Sequence, residues 1–269
     1  MPWQNPTLLL FFHIVKTGGT TFKFILANNL GLSFCDAMKA KPQLFSRKEL
    51  EFAQQVFPSL SGFGGHNVCL KSAYPEDQVF AVVFLRDPLS RTLSDFQHYC
   101  QVYLDEDTIE EYLGQFPTWV QEHGNAQTKK LATSGTVDDA KRVLREEFDL
   151  VGLVEKFDES IQMAQSAFPR IQDLRYVRKR VSGESVMRET LLNTERYRRM
   201  LEEATAKDAE LYRFVKEEIF PEQRKRWPVD SSTSYDVLHS ANTPRFLLSK
   251  WYNKAVYRSL VKLRTAMRQ

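Results

Sequence analysis

Three short stretches of this chain hold residues whose types and spacing can do chemistry together. The first is Lys16-Thr17-Gly18-Gly19-Thr20-Thr21, which follows the apolar run Leu8–Phe12, with Ile14 and Val15 beyond His13. Two adjacent glycines permit a tight turn and leave backbone N–H groups uncovered. The next helix carries Phe22, Ile25, Leu26 and Leu30 on one side and ends at Gly31, with Thr20 or Thr21 as its cap. Strand, glycine turn and helix start together offer N–H donors and a positive dipole end to an anion. Lys16 adds a cation, so the chemistry is phosphate binding; the alternative is a turn that merely joins strand to helix. The second stretch is Arg86-Asp87-Pro88-Leu89-Ser90-Arg91-Thr92-Leu93-Ser94, running straight out of the apolar Val79–Leu85. Asp87 suits an N-cap and Pro88 the first helical position. Arg86 then lies at the carboxyl end of a central strand, where open α/β sheets bind ligands, and its planar fork suits a phosphate. Arg91 is expected to pair with Asp87 or Asp95, and Ser94 shares its helix face. The alternative for Arg86 and Ser94 is a surface ion pair and a helix hydroxyl. The third is His66, after Ser61-Gly62-Phe63-Gly64-Gly65 and at the start of a short strand over Asn67–Leu70. A histidine near neutral pKa suits proton removal from an alcohol; otherwise it satisfies a loop hydrogen bond. His98, one turn beyond Ser94, is its rival.

The Walker order places lysine after the glycines, as G-x-x-x-x-G-K-S/T. Here lysine precedes them, no G-K-S/T occurs, and arginine stands where a magnesium-binding aspartate would end the second strand. These features argue against an ordinary ATP or GTP site. The order K-T-G-G-T-T after an apolar strand resembles the 5′-phosphosulfate loop of sulfotransferases, enzymes that use 3′-phosphoadenosine 5′-phosphosulfate (PAPS). It is most similar to the carbohydrate branch, of the heparan sulfate 2-O type, whose loop reads P-K-T-G-G-T-S, with Val15 here in place of proline. The strand-R-D-P-x-x-R-x-x-S pattern resembles the family's 3′-phosphate site, and Gly65-His66 its G-H segment. Asn125 to Leu131, Gly152 to Ser160 and Asp208 to Tyr212 are similar to further family segments, so the resemblance spans about residues 7 to 225.

The resemblance implies the following roles. Lys16, Thr17, Gly18, Gly19, Thr20 and Thr21 hold the phosphosulfate, and Lys16 also stabilises charge on the leaving phosphate. Arg86 and Ser94 hold the 3′-phosphate, with Arg180 in the basic run Arg178–Gly183 as a further contact or else part of a solvated loop. His66 is the general base. PAPS is the co-substrate, PAP the product, and no metal is needed. The acceptor is a hydroxyl, of a saccharide or glycoconjugate first, with a lipid or small alcohol as options. The readings set against this one are a P-loop-type nucleotide kinase and a non-catalytic nucleotide-binding protein. Gln127 and Thr128 line the acceptor cleft or hold a neighbouring loop.

These residues need a scaffold, and the rest of the chain is composed to build one. At 269 residues, 42% hydrophobic and 26% charged, it suits one large α/β domain with its own core. The expected architecture is a P-loop-like three-layer fold, a central parallel sheet flanked by helices. Its buried strands are Leu8–Val15, Val79–Leu85 and Asp149–Glu155, with Asp173–Val177 as a further short one. Residues 31–46 are expected to be a loop, a helix over 107–122 to be interrupted at Pro117, and 184–226 to be helical with a break near Lys207-Asp208. The sulfotransferase domain is expected over 1–227, a linker or lid over 228–243, and a basic amphipathic helix over 244–269 docked on the same domain. In that helix Leu247, Trp251, Val256, Leu260 and Leu263 are expected to face the core, opposite Lys250, Lys254, Arg258 and Lys262. An anionic acceptor or a membrane surface is the other use for that basic stripe. A net charge of +3 does not imply nucleic acid. Cys35, Cys69 and Cys100, without C-x-x-C, read as reduced thiols. The chain has no anchor helix or signal peptide of the kind the family's animal members carry, which leads to the expectation of a cytoplasmic, bacterial enzyme.

Overall fold

The computed structural model describes residues 6–37, 44–57, 59–74, 79–104, 108–177, 186–230, 238 and 242–267. Apolar runs pair edge to edge into a parallel sheet of β1 (Leu8–Phe12), β2 (Phe34–Asp36), β3 (Gly62–Gly65), β4 (Val79–Leu85) and β5 (Leu150–Leu153), in the order β2-β3-β1-β4-β5. β1 lies at the centre, with Leu9 beside Gly62 of β3 and Leu8 beside Val79 of β4. Every residue of β1, β4 and β5 is buried, because helices cover both faces. Successive side chains of a strand point to opposite faces. Phe11 accordingly packs on Phe22 and Phe12 on Phe148, with ring centroids 4.9 and 5.5 Å apart. This is the three-layer architecture expected from the sequence.

The helices are α1 (Gly19–Leu30), α2 (Arg47–Val56), α3 (Pro88–Tyr103), α4 (Ile109–His123), α5 (Ala126–Leu131), α6 (Val137–Glu147), α7 (Phe157–Ala167), α8 (Val186–Asn193), α9 (Glu195–Ala204), α10 (Ala206–Phe214), α11 (Phe220–Arg226), α12 (Pro244–Tyr252) and α13 (Arg258–Ala266). π turns over Val215–Ile219 and Asn253–Tyr257 join α10 to α11 and α12 to α13. The main core surrounds the sheet, and a second cluster of Leu93, Phe96, Phe116, Trp119, Leu191 and Leu201 joins α3, α4, α8 and α9.

Several local expectations need correction. The third strand is the glycine run Gly62–Gly65 itself, not Asn67–Leu70, so His66 follows the strand instead of starting it. The strand is glycine-rich because its neighbours fill the space: a Cβ on Gly65 would stand 2.2 Å from the Ala37 carbonyl oxygen. β2 lies inside the stretch expected to be a loop, and Asp173–Val177 forms no strand. Pro117 sits inside α4 without ending it, since Phe116, Trp119 and Val120 are held in the second cluster. The breaks in the later helical region fall at Thr194 and Thr205.

The largest departure is in the C-terminal helix. It runs from Pro244 to Ala266 through its π turn and covers the exposed edge of β2. Asn253 makes the contact: its side-chain oxygen accepts from the Asp36 N–H at 2.8 Å and its nitrogen donates to the Phe34 carbonyl at 2.9 Å. Sheet edges are unpaired donors and acceptors, and a side-chain amide satisfies both kinds at once. Phe246 meets Phe24 of α1, and Tyr257 is buried. Because Asn253 must face the edge strand, Leu247, Trp251, Leu260 and Leu263 turn outward, 41 to 61% exposed, where the sequence pattern had them facing the core.

Candidate active site

The loop after β1 turns twice through left-handed backbone, at Lys16 (φ 68°) and Gly18 (φ 71°). The second of these costs a glycine nothing; the first is strain held at a lysine, of order 1 kcal/mol or more. Gly18 is the N-cap of α1, without a side-chain cap bond, so neither Thr20 nor Thr21 serves as the expected cap. The tight turn starts the helix two residues earlier than a threonine cap would. Thr21 and Phe22 donate to the Gly18 carbonyl, which leaves the first-turn N–H groups of Gly19 and Thr20 for a ligand. Thr17 is fully buried and its hydroxyl donates to the Ile14 carbonyl at 2.9 Å, holding the loop closed. Thr20 is exposed.

Beneath this loop lie two stacked imidazoles. The His13 and His66 rings are 3.9 Å apart and inclined by 26°, and the Phe11 ring stacks with His13 at 5.3 Å. His13 fills the space beside Gly19 so fully that a Cβ there would stand 2.0 Å from its ring. His66 Nδ1 lies 3.1 Å from the His13 carbonyl oxygen. A carbonyl can only accept, so Nδ1 carries the proton and Nε2 keeps its lone pair. Burial above all, and then Lys23, push the His66 pKa below the ordinary histidine value; burial and the neighbouring His66 push His13 well below it. Both rings are therefore neutral near pH 7. His13 is a site residue that sequence reasoning passed over, although a histidine in an otherwise apolar run was the signal.

The Arg86 stretch meets the loop directly. Arg86 follows β4, and its Nη1 donates to the Lys16 carbonyl at 3.3 Å. Asp87 caps α3 by accepting from the Ser90 N–H at 2.9 Å, with Pro88 next, as expected. Ser94 and Arg91 are buried in α3. Arg91, 1% exposed, pairs with Asp95 at 3.2 Å, while its Nε and Nη2 have no hydrogen-bond partner. Arg188 of α8 arrives at the same place, donating to the Ser90 hydroxyl at 3.3 Å. Burial is the largest influence pushing the Arg86 pKa down; Glu155 opposes it, and Arg188 and Arg91 reinforce it. Three guanidiniums gathered at one helix start make a place for an anion. Arg188 carried no sequence motif. Arg180 lies outside the described residues.

Arg86 is held by its backbone. The Gln127 side chain accepts from the Arg86 N–H at 3.0 Å and donates to its carbonyl at 2.9 Å, as a neighbouring strand would. Gln127 is held in turn by Asp208, whose carboxylate accepts from the N–H groups of Gln127 and Thr128 and from the Thr128 hydroxyl. Asn125 accepts from the Asp208 N–H. Glu155 accepts from the Asp87 N–H and from the Tyr212 hydroxyl. Of the two readings for Gln127 and Thr128, holding a neighbouring loop is the one their hydrogen bonds describe. His98 lies on α3, between Phe96 and Cys100 of the second cluster.

A cavity of about 410 Å³ opens beside His66 and is bordered by Thr20, Lys23, Asp36, Lys250 and Arg258. A larger one, about 870 Å³, lies beside Asp87, Ser90 and Glu155. The three cysteines are free thiols. Among the described residues no cluster of three His, Cys, Asp or Glu side chains is placed to hold a metal ion, and no helix is long and apolar enough to cross a membrane. With this geometry established, comparison with protein-family models gives a match over residues 5–215 to the model described as the sulfotransferase family. No curated protein matches significantly.

Proposed function

The chain belongs to the sulfotransferase family, and on that premise we propose that it moves the sulfuryl group of PAPS to an acceptor hydroxyl with His66 as general base. One observation carries the reading: His66 offers a free Nε2 lone pair beside an anion-binding loop and at the wall of a cavity. PAPS, when bound, supplies sulfur as the electrophile, and the bond from sulfur to the 5′-phosphate oxygen breaks as the bond to the acceptor oxygen forms. The residues of the chain do the rest. His66 Nε2 takes the acceptor proton, raising the nucleophilicity of an oxygen that is otherwise a poor nucleophile. Lys16 and the N–H groups of Gly18, Gly19 and Thr20, with the side chain of Thr21 beside them, meet the negative charge gathering on the leaving phosphate. Thr17 supplies its N–H, its hydroxyl being committed to the loop. Arg86 and Ser94, with Arg91 and Arg188 beside them, bind the 3′-phosphate, and that remote grip aligns the reacting end.

The cavity beside His66 suits the acceptor. Two lysines and an arginine face one carboxylate there, a balance that favours a hydroxyl on a molecule carrying negative groups, such as an acidic saccharide or glycoconjugate. A transfer screen with labelled sulfate across saccharide, lipid and small-alcohol acceptors identifies the class. In the same assay His66→Ala is expected to keep PAP affinity and lose transfer by a factor on the order of 10²–10⁴. Transfer undiminished in His66→Ala would remove the base from the scheme.

A further inference from the structure

The C-terminal helix lies beyond the residues matched by the family model, and its outward face is not that of an ordinary surface helix. Leu247, Leu248, Trp251, Leu260, Leu263 and Met267 are 41 to 76% exposed. By sequence alone these residues do not fall on one side. The π turn over Asn253–Tyr257 takes up an extra residue, which turns the second half of the helix by about 100° relative to the first. With that shift counted, the six side chains fall within about a third of the circumference and form one apolar stripe along the helix. Lys250, Lys254 and Lys262 flank it, Arg258 lies on the same side, and no acidic residue follows Asp236 in the sequence. Single exposed apolar residues are ordinary; a continuous stripe with a tryptophan and a lysine border is not.

We propose that this face seats the protein on an anionic lipid surface. The apolar stripe matches the depth of the headgroup–acyl boundary, and the lysine border matches anionic headgroups. The charge border points to lipid over a second copy of the chain, since two copies would bring lysine rows of one sign together. The helix lies on the surface and does not span it, because its inner face is committed to the β2 edge through Asn253. Lys250 and Arg258 also border the cavity beside His66, so the seated helix brings that cavity to the lipid boundary.

The test is co-sedimentation of the full chain with phosphatidylcholine vesicles, with and without phosphatidylglycerol, together with light scattering without vesicles. Binding is expected only where phosphatidylglycerol is present, and is expected to weaken as salt is raised. Lys254→Gln with Lys262→Gln is expected to lower the partition coefficient about fivefold per lysine removed. Leu247→Ser, Trp251→Ser and Leu263→Ser together are expected to abolish binding with an unchanged circular dichroism spectrum. Should that variant fold poorly, the wild-type emission still reports: it shifts to the blue with anionic vesicles, and the shift is lost in Trp251→Phe. A wild-type chain that stays in the supernatant with anionic vesicles overturns the proposal. So does a concentration-dependent dimer that the triple substitution dissolves without any vesicle binding.

Discussion

At the scale of single residues, the His13–His66 pair sets how the proposed base would work. The His13 carbonyl fixes the tautomer of His66, and burial together with Lys23 holds His66 neutral. A base whose pKa lies below the ordinary histidine value stays active as pH falls past 6.5 and is lost only as pH passes through the lowered value. The acid limb of the transfer rate is therefore expected below pH 6.5. Lys23→Gln removes a positive neighbour and releases Asp36, and both changes favour the protonated ring, so the limb is expected to move to higher pH. A limb that does not move in Lys23→Gln would show that this charge does not reach the base. Gly19 makes a second test. A methyl group there collides with the His13 ring, so Gly19→Ala is expected to cost about 1–3 kcal/mol of stability. His13→Ala in the same chain makes room, and the two losses should not add. Additive losses in thermal melts would mean that the loop and the ring do not press on one another.

At the scale of elements, the site is built by segments distant in sequence that hold each other's backbones. Arg86 is presented by β4 but fixed by Gln127 of α5, which Asp208 of α10 fixes in turn. Gln127→Leu orphans the N–H and carbonyl of Arg86 and is expected to cost about 1–3 kcal/mol in stability. It is also expected to weaken PAP binding, although Gln127 is proposed to touch no ligand. Unchanged affinity in a folded Gln127→Leu chain would make Gln127 a packing residue only. The same contrast explains what could be read from the sequence. Strands β1 and β4 were legible because runs such as Val79–Leu85 are apolar on both faces, and the α3 start because Asp87-Pro88 is a local cap. The strand Gly62–Gly65 was not legible, since its residues were chosen by the side chains beside it and not by strand propensity. Nor was the outward turn of Trp251, which depends on Asn253 meeting an edge strand more than two hundred residues earlier. The glycine turn before α1 could be read because its residues are contiguous, whereas the placement of Arg188 and the His13 stack exist only once the chain is folded.

At the scale of the whole molecule, one parallel sheet delivers the loop after β1, His66 after β3 and Arg86 after β4 to the same edge, the carboxyl ends of adjacent strands. On the proposed function, that arrangement would give a nucleotide two points of attachment: N–H groups and Lys16 at one end, and the arginine group at the other. The loop and Arg86 already touch through the Lys16 carbonyl, which sets the two proposed points of attachment side by side. The account stands on recognition of a nucleotide phosphorylated at both ends. Isothermal titration of PAP and of ADP against the wild-type chain and Arg86→Ala tests this most directly. PAP is expected to bind at least tenfold more tightly than ADP, with Arg86→Ala removing most of the difference, in keeping with about 1.5–3 kcal/mol for a hydrogen bond to a charged group. Equal affinity for the two nucleotides in the wild-type chain would contradict it.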